Sequence, residues 1–140
     1  MRHWSGFAAF PLLLIVGLFT LACGSSRTLK SVTVSPATAT QNSANGVQFS
    51  ATGVFSKPPS PQVLTNKDIA WCIAAPGAGV TECAGNVLNT GATVDQNGLA
   101  QCVAGFSGNV TILAGKLAST MPTDGPRQMS VFGSAQLTCP

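Results

Sequence analysis

Hydrophobic and polar residues alternate in short runs from Leu29 to the end of the chain, and turn-forming Gly, Pro and Asn residues separate these runs. Alternation with a period of two is typical of β-strands that bury one face. The runs Leu29–Val34 and Val47–Phe55 are followed by candidate strands at 62–65, 68–73, 92–94, 99–103, 109–114 and 129–138. The pattern predicts an all-β fold, an antiparallel β-sandwich of about seven strands.

The segment before Leu29 has a different pattern. Arg2 precedes an apolar run from Phe7 to Leu21. This run is short for a membrane span, which needs about 20 apolar residues, and it matches the hydrophobic region of a secretory signal. We therefore predict a cleaved signal helix at residues 1–22, a short tether at 23–28 and one domain at 29–140.

The end of the apolar run, Thr20-Leu21-Ala22-Cys23, resembles the cleavage site of bacterial lipoproteins. The resemblance implies cleavage after Ala22 and lipidation of Cys23, with the lipid holding the protein in the cell envelope. Gly24 after the cysteine favours the outer membrane, and the membrane face stays open. Thr20 stands where the motif prefers Leu, which leaves an ordinary secretory signal as the alternative.

Several separated motifs resemble bacterial immunoglobulin-like (Ig-like) domains of group 2. The matching segments are Ser31–Ala39, Gln48–Gly53, Ile69–Trp71, Ala92–Ala100 and Val110–Ile112. The resemblance covers 29–140 and implies an Ig-like antiparallel β-sandwich. The expected core residues are Trp71, Phe49, Val32, Val34 and Ile112. The cysteines, the proline-rich segment Lys57–Pro61 and the long loops 74–91 and 116–128 depart from the family pattern.

Four cysteines follow Cys23: Cys72, Cys83, Cys102 and Cys139. An even number in an exported chain predicts two disulfides, for which three pairings exist. We favour Cys72–Cys83 with Cys102–Cys139, and Cys72–Cys102 with Cys83–Cys139 remains open. A zinc site is not expected because no two cysteines are separated by only two to four residues. We predict no metal and no cofactor.

Charge and composition restrict the classes of function that the sequence predicts. Without residues 1–22 the chain has six Lys/Arg and four Asp/Glu, a net charge of +2, and these charges are scattered singly. Nucleic-acid binding is not expected, because it requires a basic stripe or patch. His3 is the only histidine and lies in the signal segment. A catalytic triad with histidine is therefore excluded from the mature chain, and we predict no enzyme.

These features together predict a non-catalytic cell-envelope lipoprotein with a single Ig-like module for structural or protein-interaction tasks. A surface adhesion or glycan-binding module is the alternative. The expected partners are the membrane, through the lipid on Cys23, and either envelope proteins or a surface glycan. Binding by strand addition at a sheet edge is one route. The loops 56–61, 74–91 and 121–127 are the candidate binding surfaces.

Overall fold

The structure is a computed structural model that describes residues 26–76, 81–84, 90–118 and 127–140. The predicted signal helix at 1–22 and Cys23 lie outside these residues. All regular structure in the described part of the chain is β-strand. No helix long and apolar enough to cross a membrane occurs within these ranges.

The strands are short at the start of the domain and long at its end. In chain order they are β1 (Leu29–Ser35), β2 (Thr38–Thr40), β3 (Val47–Gln48), β4 (Ser50–Phe55), β5 (Gln62–Val63), β6 (Ala70–Ile73), β7 (Glu82–Cys83), β8 (Ala92–Val94), β9 (Leu99–Cys102), β10 (Gly108–Leu117) and β11 (Arg127–Cys139). They form three sheets, with the orders β1-β4-β5, β3-β9-β8 and β2-β11-β10-β6, and β7 pairs with the start of β11.

Eleven strands in the described residues exceed the predicted number of about seven. One reason is that the predicted strand 47–55 changes its partner at Phe49, since β3 pairs with β9 and β4 pairs with β1. The other reason is that β2 and β7 were not predicted. They are only three and two residues long, too short to show alternation, and their tertiary partners define them.

Two sheets form one layer of the molecule and the third sheet forms the other. Because only Phe49 separates β3 from β4, the sheets β1-β4-β5 and β3-β9-β8 share one continuous stretch of chain. The apolar faces of both layers contribute to a single core. The fold is therefore all-β and sandwich-like, as the alternating pattern predicted.

The register gives the domain two distinct ends. Leu29 pairs with Phe55 at one end of the first layer, which we call the Leu29 end. β1 and β11 run in the same direction, because Gly133 lies beside Val32 and the Gln136 N–H donates to the Ala37 carbonyl further along. The loop after β2 and the ends of β9 and β11 therefore lie at the opposite end, which we call the Gln41 end.

The core lies between the layers and is built from alternate residues of the facing strands. Its fully buried side chains include Phe49, Ile112 and Leu137. β10 contributes Val110, Ile112 and Ala114 to this core. Burial of alternate residues is what the sequence pattern indicated for strands with one buried face.

β10 is also buried on its second face. Leu113 points away from the main core and is nevertheless fully buried. It forms an outer cluster with Cys83 and Met129, against which Cys72, Ala74, Leu117 and Phe132 pack. This cluster exists because β7 folds back over the sheet, where the Ala75 N–H donates to the Glu82 carbonyl at 2.8 Å and the Ala84 N–H to the Ile73 carbonyl at 2.7 Å.

Candidate functional site

The residues expected in the core occupy it to different degrees. Val32, Val34, Phe49 and Ile112 are buried. Trp71 packs against the core but remains partly exposed. Its indole lies against the turn at Gly98, where a Cβ would sit 2.9 Å from Cζ2 of the indole, so the absence of a side chain at Gly98 makes room for the ring.

The structure joins Cys72 to Cys83 and Cys102 to Cys139, the pairing that the sequence analysis favoured. The first disulfide fastens β7 to β6 and so holds β7 over the outer cluster. The second links the end of β9 to the end of β11 and therefore ties the two layers together at the Gln41 end. Cys23, the predicted lipidation site, lies outside the described residues.

The last residues of the predicted tether at 23–28, Arg27 and Thr28, are held at the Leu29 end. The Arg27 guanidinium lies 3.5 Å from the centroid of the Phe55 ring, a cation–π contact. It also donates to the carbonyls of Lys57 and Pro59 and to Oε1 of Gln62. Thr28 and Ser56 add two reciprocal hydrogen bonds of 2.9–3.0 Å. Arg27 thus connects the described end of the tether to the proline-rich loop 57–61.

A cleft of about 550 Å³ opens at the Gln41 end. One wall is the segment 41–44 after β2, the other is the segment 102–106 after β9, and Pro140 completes the lining. No charged residue occurs among these lining residues. The polar groups come from Gln41, Asn42 and Ser43, and the apolar surface comes mainly from Val103 and Phe106.

The two walls of the cleft are braced by hydrogen bonds as well as by the disulfide. Gln41 donates its N–H to the Thr138 carbonyl at 3.0 Å, and its Oε1 accepts from the Cys102 N–H at 2.6 Å. Cys102 is in turn bonded to Cys139, the residue after Thr138. These three links form a closed triangle between the ends of β2, β9 and β11, so the cleft has a defined shape.

Segment 103–106 forms a tight turn at the rim of the cleft. The Phe106 N–H donates to the Val103 carbonyl at 3.0 Å, and Gly105 has φ +79° at the third position, as a type II turn requires. The tip of the Phe106 ring lies against Gly91, where a Cβ would be only 2.4 Å from Cζ. The ring is therefore held in place and remains partly exposed.

Of the three acidic residues that the structure describes, Asp68 and Asp95 serve turns, and Glu82 lies in β7, where its Oε1 accepts from Gln128. Asp95 Oδ1 accepts from the N–H groups of Asn97 and Leu99, both at 2.8 Å, and so closes the β8–β9 turn. Asp68 Oδ2 accepts from the Thr65 N–H at 2.9 Å and from the Thr65 hydroxyl at 2.8 Å. Within the described ranges, no three His, Cys, Asp or Glu residues converge in a way that could hold a metal ion.

The Thr65–Asp68 turn makes stability depend on acidic pH. The backbone and side-chain hydrogen bonds from Thr65, with smaller contributions from Arg27 and Lys67, lower the pKa of Asp68 below its usual 3.8. A lowered folded-state pKa stabilises the protein above the unfolded pKa, and this stabilisation is lost as pH falls through the folded value. Asp68→Asn retains an acceptor but cannot titrate.

We therefore expect the midpoint of urea unfolding to fall less steeply for Asp68→Asn than for wild type between about pH 5 and pH 2. Thermal or urea unfolding at a series of pH values measures this difference, and the other carboxylates contribute equally to both proteins. Parallel pH profiles would show that the Thr65 hydrogen bonds do not favour the ionised carboxylate.

The cleft was not anticipated by the sequence analysis, which placed the candidate binding surfaces in the loops 56–61, 74–91 and 121–127. The structure shows that loop 56–61 is held by Arg27 and Thr28. Much of the other two loops lies outside the described residues. The cleft walls are about 60 residues apart in the chain, as the Gln41–Cys102 hydrogen bond illustrates, and no local motif marks them.

No protein-family model matches this chain, and no curated protein matches it in sequence. A functional proposal therefore depends on the sequence motifs and on the geometry of the two ends of the domain.

Proposed function

We propose that this protein is an exported, lipid-anchored cell-envelope protein whose domain at 29–140 is an Ig-like, non-catalytic interaction module. The observation that carries the proposal is that the two ends of the domain differ. The end that follows Cys23 in the chain is fastened down by Arg27, and the open cleft lies at the opposite end. A domain anchored at the first end presents the second to its surroundings.

Strand order supports the Ig-like part of the proposal. In immunoglobulin-type sandwiches the strands A, B, E and D form one sheet, and C, F and G form the other. Here β1, the β3–β4 stretch, β9 and β8 are neighbours in the first layer. In the second layer β6, β10 and β11 are neighbours in the same way. These strands follow one another in the chain in the order A to G, and β2, β5 and β7 are additional to the seven.

The position of Arg27 supports anchoring close to the membrane. Three peptide steps separate Cys23 from Ser26, the first described residue, and they reach at most roughly 10 Å. Arg27, Lys30 and Lys57 lie at this end. Cations near an anionic bilayer surface each contribute about 1 kcal/mol of attraction. Lipidation of Cys23 would therefore place the cationic Leu29 end against the headgroups.

The far end would then stand clear of the membrane. β1 alone has seven residues and spans roughly 23 Å at the usual rise per residue. The cleft lies beyond the end of β1, after β2. Partners in the envelope or outside the cell can reach the cleft without competing with lipid.

The edge strand β5 offers less than the cleft for binding by strand addition. β5 is an edge strand of only two residues, although its Val63 is 65% exposed. Pro58, Pro59 and Pro61 precede it, and proline lacks the N–H that a new strand would pair with. Interaction through the Gln41 end is therefore favoured over augmentation at β5.

The mass of the protein extracted from membranes without reducing agent tests the proposal. We expect loss of residues 1–22, an added diacylglyceryl mass on Cys23 and the loss of four hydrogens for the two disulfides. Cys23→Ser is the matched control, because it removes the lipidated thiol and leaves both disulfides intact. It should carry no added lipid mass.

A wild-type protein without lipid mass, like Cys23→Ser, would contradict the anchor. An unmodified mass that still includes residues 1–22 would contradict the cleaved signal as well.

A further inference from the structure

The cleft at the Gln41 end is open to solvent, and its two walls are linked at their base. Its volume of about 550 Å³ lies in the range of small-molecule sites. The Gln41 hydrogen bonds and the Cys102–Cys139 disulfide tie its walls together before any ligand arrives. Preorganisation of this kind lowers the entropic cost of binding.

The chemistry of the lining selects an uncharged, hydroxyl-rich ligand. Because no lining side chain is cationic, the cleft offers no charged side-chain partner to a phosphate, sulfate or carboxylate group. The amide of Asn42 and the hydroxyl of Ser43 each provide both a donor and an acceptor. A sugar hydroxyl needs the same combination. The exposed part of the Phe106 ring provides an apolar surface for the C–H face of a sugar.

Asn42 is available for this role. It is exposed, and among the described residues no side-chain hydrogen bond to Asn42 is present. Gln41, by contrast, already uses its Oε1 to accept a hydrogen bond from the Cys102 N–H.

The backbone of the cleft argues against a peptide as the occupant. The N–H groups of Cys102, Val103 and Phe106 already donate to Gln41, Gly91 and Val103 respectively. A peptide that adds as a strand would need such groups to be unpaired. The lining also lacks the Trp, Tyr and Arg side chains that usually anchor protein partners.

We propose that the cleft between 41–44 and 102–106 binds a neutral glycan, with Asn42 and Ser43 recognising hydroxyl groups and Phe106 contacting a sugar face. The biological use of this site rests on the proposed function, in which the Gln41 end faces away from the membrane. The binding chemistry itself rests only on the described residues.

The test uses the full chain, purified in detergent without reducing agent, against an array of neutral oligosaccharides with anionic oligosaccharides and extended peptides as comparison classes. We expect binding to at least one neutral class with a Kd on the order of 0.1–1 mM. Two-dimensional NMR with that oligosaccharide should shift the amide signals of 41–44 and 102–106 and leave those at the Leu29 end unchanged.

Two variants link the binding to the cleft. Asn42→Ala should weaken binding about tenfold without affecting the fold, because Asn42 is exposed. Phe106→Leu preserves most of the packing against Gly91 but removes the aromatic face, and it should weaken binding by a similar factor. Asn66→Ala is the matched control, since this exposed amide lies in the Thr65–Asp68 turn outside the cleft, and it should bind like wild type.

The inference would be overturned if no neutral oligosaccharide binds at about 10 mM, a concentration that saturates a site of the expected affinity. Preference for peptides or anionic glycans would overturn it too, as would full binding by both Asn42→Ala and Phe106→Leu. These failures are separate from failure of the anchor. A lipidated protein that binds no glycan would refute only the proposed glycan site. A glycan-binding protein without lipid would refute only the proposed lipid anchor on Cys23.

Discussion

Replacing Phe49 with alanine is expected to lower the free energy of unfolding by about 3–5 kcal/mol, because the substitution removes a buried ring and leaves a cavity. Phe49 is fully buried in the main core. Its N–H donates to the Gly98 carbonyl at 2.9 Å, which keeps the backbone in place. The same core contains several alanines, which cannot extend into a cavity: Ala51, Ala92, Ala100, Ala114 and Ala135.

Urea unfolding followed by Trp71 fluorescence measures the effect, with an unchanged slope and a lower midpoint expected. Phe132→Ala is the matched control, because Phe132 is only partly buried and packs on the smaller outer cluster. It should lose clearly less stability than Phe49→Ala. An equal loss from the two variants would mean that the two apolar clusters contribute equally, contrary to the burial of Phe49.

Removing the Cys102–Cys139 disulfide as the double variant Cys102→Ala/Cys139→Ala is expected to cost about 4 kcal/mol. The bridge spans 37 residues, so its loss returns a large conformational entropy to the unfolded chain. The Cys72–Cys83 bridge spans 11 residues, and the corresponding double variant should lose only about 3 kcal/mol. Calorimetry or urea unfolding of both variants without reductant measures the two losses.

The two disulfides should also differ in their effect on the cleft. Loss of Cys102–Cys139 removes one of the three links between the ends of β2, β9 and β11. Loss of Cys72–Cys83 releases only β7, which covers the outer cluster. Glycan binding should therefore weaken in the first variant and persist in the second. A larger loss of stability from Cys72–Cys83 would show that the outer cluster, rather than the loop length, dominates.

The sequence predicted most strands because burial of one face leaves a trace in the local pattern. β1 matches its predicted run to within one residue, and β8 coincides with the predicted segment 92–94. Leu113 shows where the local pattern fails to predict burial. Its burial depends on β7, which the 72–83 disulfide brings back over β10, and a local pattern of alternation contains no information about such a cover.

The four cysteines illustrate the same limit. Their even number, together with the predicted secretory signal, predicted two disulfides, but spacing left two pairings open. The fold decides between them because Cys72 points to the outer cluster, where Cys83 lies, whereas Cys102 and Cys139 meet at the Gln41 end. A pairing of Cys72 with Cys102 would have to join residues on different sides of the second sheet.

By itself the sequence determined the all-β class, the alternating core positions such as Val32, Val34 and Ile112, and the Asp95–Gly98 turn. Each of these depends on neighbours within a few residues. Only the tertiary structure decided which cysteines pair and that Arg27 binds Gln62 beside the loop 57–61. It also decided that 41–44 meets 102–106 to form a cleft. The physical reason is that the contacts Cys102–Cys139, Arg27–Gln62 and Gln41–Cys102 join residues 35 to 61 positions apart, and strand register rather than local pattern brings them together.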